Sequence, residues 1–148
     1  SKMIEGDIEG YETTFGEMAA TAQKPILALE TVKEQMSLFD ELPYEEQMTD
    51  LMKYVKGDAE MDALFAKMVD MYVAEDVGGL YDYTSSYYPD EAFMQTLLFA
   101  RNAKWIPMLE QQMAKSSLFI AVGAAHLGGP KGVIQLLRDA GYKVTAVK

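Results

Sequence analysis

The sequence predicts a helix-rich α/β fold that contains a small, mostly parallel sheet. Three short segments, near residues 26–30, 118–122 and 143–147, have the apolar or alternating pattern of strands. Most of the remaining chain places apolar side chains at three- and four-residue steps, which is the period of a helix with one buried face. A long helical insertion separates the first two predicted strands, as parallel strands need a crossover connection. The order of the elements is therefore typical of an α/β architecture.

Length and composition predict one domain that spans residues 1–148. The chain has 148 residues, of which 49% are hydrophobic, so it can bury one core but is too short for two. It carries 23 acidic and 13 basic residues, a formal net charge of -10, and no local cluster of Lys and Arg. Such a surface repels phosphate backbones, so we expect no nucleic-acid partner. No apolar stretch approaches the roughly 18 residues that span a bilayer.

The chain has no cysteine and a single histidine, His126. Without cysteine there are no disulfides, no thiolate nucleophile and no zinc site of the thiolate type. A metal site would have to combine carboxylates with His126, and a site of two histidines and one carboxylate cannot be assembled from this chain alone. Metal or acid–base chemistry therefore centres on His126.

The N-terminal part of the chain is predicted to form a helix followed by the first strand. Residues 6–22 carry apolar side chains at helical spacing, and Lys24-Pro25 ends that helix. Residues 26–29 form a continuous apolar run that ends in Glu30, which indicates a short buried strand. The first residues are polar and lack the apolar segment of a signal peptide.

Three helices are predicted next. Thr31, with Glu34 three positions later, predicts a capping box at the start of the first of them. The second runs from Pro43 through Val55 and the third over residues 59–75, before a break at Gly78-Gly79. The tyrosine-rich segment 80–90 permits a sugar-binding or lid role, but a connection whose rings cover the edge of the core is the favoured interpretation.

The helix predicted from Asp90 to about Ser116 has a polar interruption in its apolar face. One row of side chains at four-residue steps consists of Phe93, Leu97, Trp105, Leu109 and Met113. Arg101 takes the missing position in that row, and Asn102 the corresponding position in the neighbouring row. A guanidinium there must be paired or must line a cavity, because burying it unpaired is costly. Pro107 is expected to kink the helix.

The last third of the chain is predicted to be a strand, a helix and a strand. Residues 118–122 are apolar throughout, as expected for a strand that is covered on both faces. Residues 123–129 turn the chain, and a helix follows from Pro130 through Ala140. Gly141 suits the position after a helix, and residues 142–147 alternate as a final strand.

Glu30, Arg101 and His126 are predicted to meet at one edge of the sheet. Ligands of open α/β sheets bind outside the carboxyl ends of parallel strands, where Glu30 and His126 are placed. A simpler interpretation stays open for each residue. His126 can be a hydrogen-bonded core or surface residue. Glu30 can lie in the N-terminal cap region of the next helix, where the helix dipole favours a carboxylate, and Arg101 can form an ion pair with Glu30.

The glycines around His126 do not form a recognised phosphate-binding motif. A P-loop needs a Lys directly after its second glycine, and here Gly129 follows Gly128. An anion site at the start of the helix after Pro130 remains physically possible, although proline gives up one donor.

Four blocks of the sequence resemble the TraB/PrgY/GumN family. The segment VGAAHLGGPKGVIQLLRDAGYKV (122–144) resembles the C-terminal signature of that family. ALETVKEQ (28–35), LPYEEQ (42–47) and RNAKW (101–105) resemble other blocks, in the same order. The resemblance covers most of the chain and is weakest in residues 48–90.

The resemblance implies an α/β fold related to the erythromycin-esterase-like and ChaN-like superfamily and to the Tiki proteins, which are metal-dependent proteases of the cell surface. In that family two Gly-x-x-His motifs and glutamates are taken to form the active centre. Gly123 and His126 match the second motif. Glu30 matches the glutamate after the middle strand, and Arg101-Asn102 match an Arg-Asn pair of the family.

The first Gly-x-x-His motif of the family has no counterpart, because the chain has no second histidine. The resemblance therefore implies either the C-terminal part of a longer domain or a naturally reduced member of the family, in both cases with about half of the active site. Missing neighbouring strands would expose a sheet edge and favour a homo-oligomer. The resemblance also implies an extracytoplasmic location, in the periplasm or cell envelope.

Three functions remain as hypotheses. The first is a metal-dependent hydrolase of peptides: His126 and Glu30 bind a divalent ion (Mn²⁺, Co²⁺ or Zn²⁺) or act as bases, and Arg101 stabilises the oxyanion. The second is a non-catalytic module that binds a peptide or small molecule in the same cleft, beside Gly123 and Asn102. The third is a structural domain in which Glu30 and Arg101 form a buried pair.

Overall fold

The computed structural model describes residues 10–40, 43–56, 59–87 and 91–147. Contacts between residues divide the chain into two compact units, Ser1–Ser37 and Leu38–Lys148, and each unit is described by itself. The prediction of one domain over residues 1–148 stays a prediction.

The first unit contains helix α1 (Tyr11–Thr21) and the start of helix α2 (Val32–Asp40). α1 buries none of its residues and ends before Gln23, whose φ of 51° lies in the left-handed region. The predicted capping box of α2 is confirmed. The Thr31 hydroxyl oxygen accepts from the Glu34 backbone N–H at 3.1 Å, and the Glu34 carboxylate accepts from the Thr31 N–H at 2.8 Å.

The second unit is built mainly from helices. In chain order these are α3 (Tyr44–Lys56), α4 (Ala59–Val73), α5 (Val77–Tyr87), α6 (Glu91–Met94), a π-helical turn (Gln95–Phe99), α7 (Ala100–Met113), a 3₁₀ turn (Ala124–His126) and α8 (Val133–Asp139). α6, the π turn and α7 follow one another without a break. No helix in these ranges is long and apolar enough to cross a membrane.

The predicted α/β fold is wrong, because the described residues contain no β-strand. The segments predicted as strands, 26–30, 118–122 and 143–147, are irregular, apart from the bend at residues 29–30. Their apolar side chains are not covered as the prediction required: Ile26 is 69% exposed and Phe119 is 78% exposed. A short apolar run has a preference for extended backbone, but a strand forms only where another strand pairs with it.

Two further expectations depended on that sheet. The structure offers no sheet edge within the described ranges at which Glu30 and His126 would meet, and none at which copies of the chain would pair. The α/β fold that the family resemblance implied is corrected in the same way.

The predicted break at Gly78-Gly79 is also wrong, because α5 begins at Val77 and contains both glycines. Asp76 makes this start possible, since its carboxylate accepts from the Gly79 N–H at 2.8 Å.

The interpretation of residues 80–90 as a connection is wrong for residues 80–87, which belong to α5. Tyr81 of this segment is half-buried and packs against the core, as that interpretation expects of the rings, whereas Tyr87 is 39% exposed.

The core of the second unit lies along α6, the π turn and α7. Its buried apolar side chains are Leu80, Met94, Leu98, Phe99, Trp105, Ile106, Leu109 and Val133. The polar interruption predicted for this face is present, and its two members differ in burial. Asn102 is 1% exposed, whereas Arg101 is only half-buried. Asn102 therefore lies in the centre of the core and Arg101 at its margin.

Candidate functional site

The candidate site is built around His126, which ends the 3₁₀ turn between α7 and α8. Its side chain is buried, with 8% of its surface exposed. The His126 backbone N–H donates to the carbonyl of Gly123 at 2.9 Å, which closes the turn of the Gly-x-x-His segment. The histidine is therefore held by a short helical turn and not by the end of a strand.

Asn102 of α7 contacts both the ring and the backbone of the His126 loop. Its Oδ1 lies 2.6 Å from Nδ1 of His126, within hydrogen-bonding distance. Its Nδ2 donates to the backbone carbonyls of Lys131 at 2.9 Å and of His126 at 3.3 Å. One buried amide thus ties the loop between residues 126 and 131 to the longest helix segment of the core.

Trp105, one helical turn after Asn102, packs against the histidine ring. The two ring centroids lie 4.6 Å apart with the planes tilted by 47°, and Trp105 is 3% exposed. An aromatic contact of this kind restricts rotation of the imidazole, and the hydrogen bond between its Nδ1 and Oδ1 of Asn102 restricts it further. The orientation of the His126 ring is therefore set by two residues of α7.

Arg101 contacts the same tryptophan. Its Nη1 donates to the backbone carbonyl of Leu97 at 2.7 Å, and its Cζ lies 5.4 Å from the centroid of the Trp105 ring. This distance is that of a cation–π contact. Arg101 and His126 therefore place a cation and an imidazole on one aromatic side chain.

Lys131 connects the His126 loop with the start of α6. Its backbone carbonyl accepts from Asn102, while its Nζ lies 3.4 Å from Oε1 of Glu91 and 4.8 Å from the ring centroid of Phe99. Both charged side chains are well exposed, so the ion pair contributes little to stability. The backbone of Lys131 matters more to the site than its charge.

The glycines of the loop are closely packed and not simply flexible. A Cβ on Gly128 would clash with the backbone carbonyl of Val77 and would lie 2.9 Å from Cβ of Tyr81. Gly129 has a φ of 78°, which side chains rarely adopt. α5 therefore approaches the loop so closely that glycine is required, whereas Gly123 has room for a Cβ, with Cδ2 of His126 at 3.7 Å.

We expect Gly128→Ala to lower the free energy of unfolding by about 1–3 kcal/mol, because the added methyl group meets backbone that cannot move aside. Gly123→Ala is the matched control, since its Cβ would make only an ordinary contact. Thermal unfolding followed by circular dichroism measures both. Equal melting temperatures for the two variants would contradict the close packing of α5 on the loop.

Four of the five predicted site residues, Arg101, Asn102, Gly123 and His126, lie in the second unit. Asn102 and the Gly123 carbonyl both contact His126, and Arg101 and His126 both contact Trp105. Glu30 belongs to the first unit, where it is half-buried at a bend after the irregular segment 24–28. Its predicted approach to His126, and its predicted pairing with Arg101, stay predictions.

Sequence reasoning missed two contributors. Trp105 was predicted only as a member of an apolar row, and Lys131 was not singled out. The sequence gives no signal for Lys131, because its contribution is a backbone carbonyl, which every residue has. Trp105 lies four residues after Arg101, a spacing that predicts contact on a helix.

The described residues supply only part of a metal donor set. Within the described ranges, no three side chains of His, Cys, Asp or Glu are grouped so that they could hold an ion. Structural and catalytic zinc sites use at least three such donors. His126 is one suitable donor, and the residues around it are an amide, an indole and a guanidinium.

The profile of the TraB/PrgY/gumN family matches residues 2–146, which is nearly the whole chain. Comparisons with curated proteins and with solved structures give no match. The matched range includes the Gly123–His126 turn, the Arg101-Asn102 pair and Glu30.

Proposed function

Because the chain belongs to the TraB/PrgY/gumN family, we propose that it forms the histidine-bearing part of a hydrolase centre that acts on peptides. The observation that carries the proposal is the contact between His126 and Asn102, whose Nδ1 and Oδ1 atoms are 2.6 Å apart in the buried core. A surface histidine needs no such partner. A buried imidazole with a fixed orientation is suited to proton transfer.

In the proposed reaction His126 acts as the general base. Its ring takes a proton from a water molecule as that water attacks the carbonyl carbon of a peptide bond. The carbonyl oxygen gains negative charge in this step, and a guanidinium close by stabilises that charge. Arg101 is the proposed group, because it contacts the same Trp105 ring as His126. The C–N bond then breaks as the carbonyl re-forms, and the protonated His126 ring gives its proton to the leaving amine nitrogen.

The mechanism contains no metal step, because the described residues do not fit a complete metal site. A bound divalent ion would supply Lewis-acid activation of water, and His126 is the residue of the second unit that would bind it. Glu30 stays the predicted second ligand. Metal binding is therefore a separate prediction with its own test.

Calorimetric titration with Mn²⁺, Co²⁺ and Zn²⁺ tests whether a divalent ion binds at His126. If His126 is a ligand, His126→Ala removes the binding, since imidazole is the best donor the chain offers. Glu30→Gln, measured in the same way, tests the predicted second ligand and keeps a polar side chain of the same size.

A screen of peptide cleavage by mass spectrometry, with the intact protein and a His126 variant, tests the hydrolase itself. Binding of a peptide without cleavage would instead identify the chain as a non-catalytic binding module. Metal binding that is unchanged in His126→Ala would exclude His126 as a metal ligand. It would not contradict the proposal that His126 is the general base.

A further inference from the structure

Two backbone carbonyl groups determine how the Asn102 amide is oriented. Its Nδ2 donates both of its hydrogens, one to the carbonyl of Lys131 and one to the carbonyl of His126. If the amide were turned by 180°, its oxygen would face both carbonyl oxygens with no hydrogen between them. Asn102 is 1% exposed, so bulk water would not compensate for that loss. Its Oδ1 must therefore be the atom that faces the histidine ring.

This orientation fixes where the hydrogen of the imidazole lies. Oδ1 is 2.6 Å from Nδ1 of His126, and an amide oxygen can only accept a hydrogen bond. Nδ1 must therefore carry a hydrogen and donate it. In a neutral imidazole only one nitrogen carries hydrogen, and the other has the lone pair. We infer that Asn102 is a positioning residue that holds His126 in the tautomer with the hydrogen on Nδ1 and the lone pair on Nε2.

The chemical meaning of this inference rests on the proposed function, although the tautomer itself does not. If His126 is the general base, Nε2 is the atom that takes the proton of the attacking water. Hydrogen bonds to the other ring nitrogen commonly fix the tautomer of functional histidines and raise their basicity. Here the partner is the Asn102 amide of α7, and the backbone carbonyls of the His126 loop fix its orientation. The loop therefore fixes the tautomer of the ring through Asn102.

The chain suits a direct test because it contains a single histidine. Long-range ¹H–¹⁵N correlation spectra of the protein labelled with ¹⁵N-histidine report on one ring only. At a pH at which this ring is neutral, we expect the signature of a protonated Nδ1 and an unprotonated Nε2. A hydrogen on Nε2, or signals averaged between the two tautomers, would overturn the inference.

Two variants separate positioning of the ring from anchoring of the loop. Both Asn102→Asp and Asn102→Leu lose the two bonds to the backbone carbonyls. The aspartate still accepts a hydrogen bond, so we expect it to keep the hydrogen on Nδ1, whereas with leucine we expect both tautomers to be populated. An Asn102→Leu protein that keeps the single Nδ1–H tautomer would refute the role of Asn102. If either variant fails to fold, the spectrum of the unaltered protein decides.

The outcome is independent of activity. A protein with the expected tautomer that cleaves no peptide would contradict the proposed hydrolase alone. A protein that cleaves peptides while the hydrogen lies on Nε2 would contradict this inference alone.

Discussion

Replacing His126 by glutamine is expected to lower kcat/KM for peptide cleavage by about 10²–10⁴-fold, the usual contribution of a general base. Glutamine keeps a polar side chain of similar reach, and its amide can still donate to Oδ1 of Asn102. It has no basic nitrogen, however, so it cannot take a proton from water. The measurement is the rate of cleavage of the best peptide from the mass-spectrometric screen.

Lys115→Ala is a suitable control for this experiment, because Lys115 is exposed and lies just after the end of α7. We expect its rate to equal that of the unaltered protein. Circular dichroism spectra and melting temperatures of all three proteins show whether the fold is kept. A folded His126→Gln protein with an unchanged rate would exclude His126 as the base.

Arg101 and Asn102 show what the sequence of one helix can and cannot predict. The interruption of the apolar face was predicted at both residues, because a polar side chain in a four-residue row is a local pattern. Their order of burial was not predicted. Neighbouring rows of a helix differ only in how the surrounding helices and loops cover them, and here the His126 loop covers Asn102.

The capping box and the predicted strands also show that local features can be predicted from the sequence, whereas features that need a distant partner cannot. Thr31 and Glu34 satisfy each other within one turn of helix, so their spacing was sufficient for a correct prediction. A strand at residues 118–122 requires a partner from elsewhere in the chain, and an apolar run does not encode that partner. The prediction that Gly141 follows the last helix was also local, because a glycine with positive φ, here 93°, commonly ends a helix.

Asn102 and His126 are two of the predicted site residues, but the geometry of their contact and the part of Trp105 and Lys131 were not predicted. The Gly-x-x-His segment and the Arg-Asn pair resembled family motifs, and the structure brings them into contact through Asn102 and His126. The predicted route to that contact, a shared sheet edge, was wrong. In the structure a loop holds His126 against Asn102, and Gly128 of that loop packs against the backbone of α5. The spacing of apolar residues in the sequence does not predict such a close approach.

Asn102→Leu is expected to lower the free energy of unfolding by about 3–5 kcal/mol, since each buried polar group left without a partner costs about 1–3 kcal/mol. Leucine has the same branched shape and the same number of heavy side-chain atoms as asparagine, so the loss does not come from a cavity. It comes from the carbonyls of His126 and Lys131 and from Nδ1 of His126, which lose the bonds that Asn102 makes. Urea denaturation followed by circular dichroism measures the change.

Gln111→Leu provides the matched control on the same helix, because Gln111 is an exposed amide of α7. We expect its stability to change by no more than about 0.5 kcal/mol, as for most surface substitutions. A comparable loss in both variants would mean that leucine disturbs α7 generally and that the buried bonds of Asn102 are weak. A large loss confined to Asn102→Leu would mean that this one amide holds together the helix, the loop and the histidine on which the proposed chemistry depends.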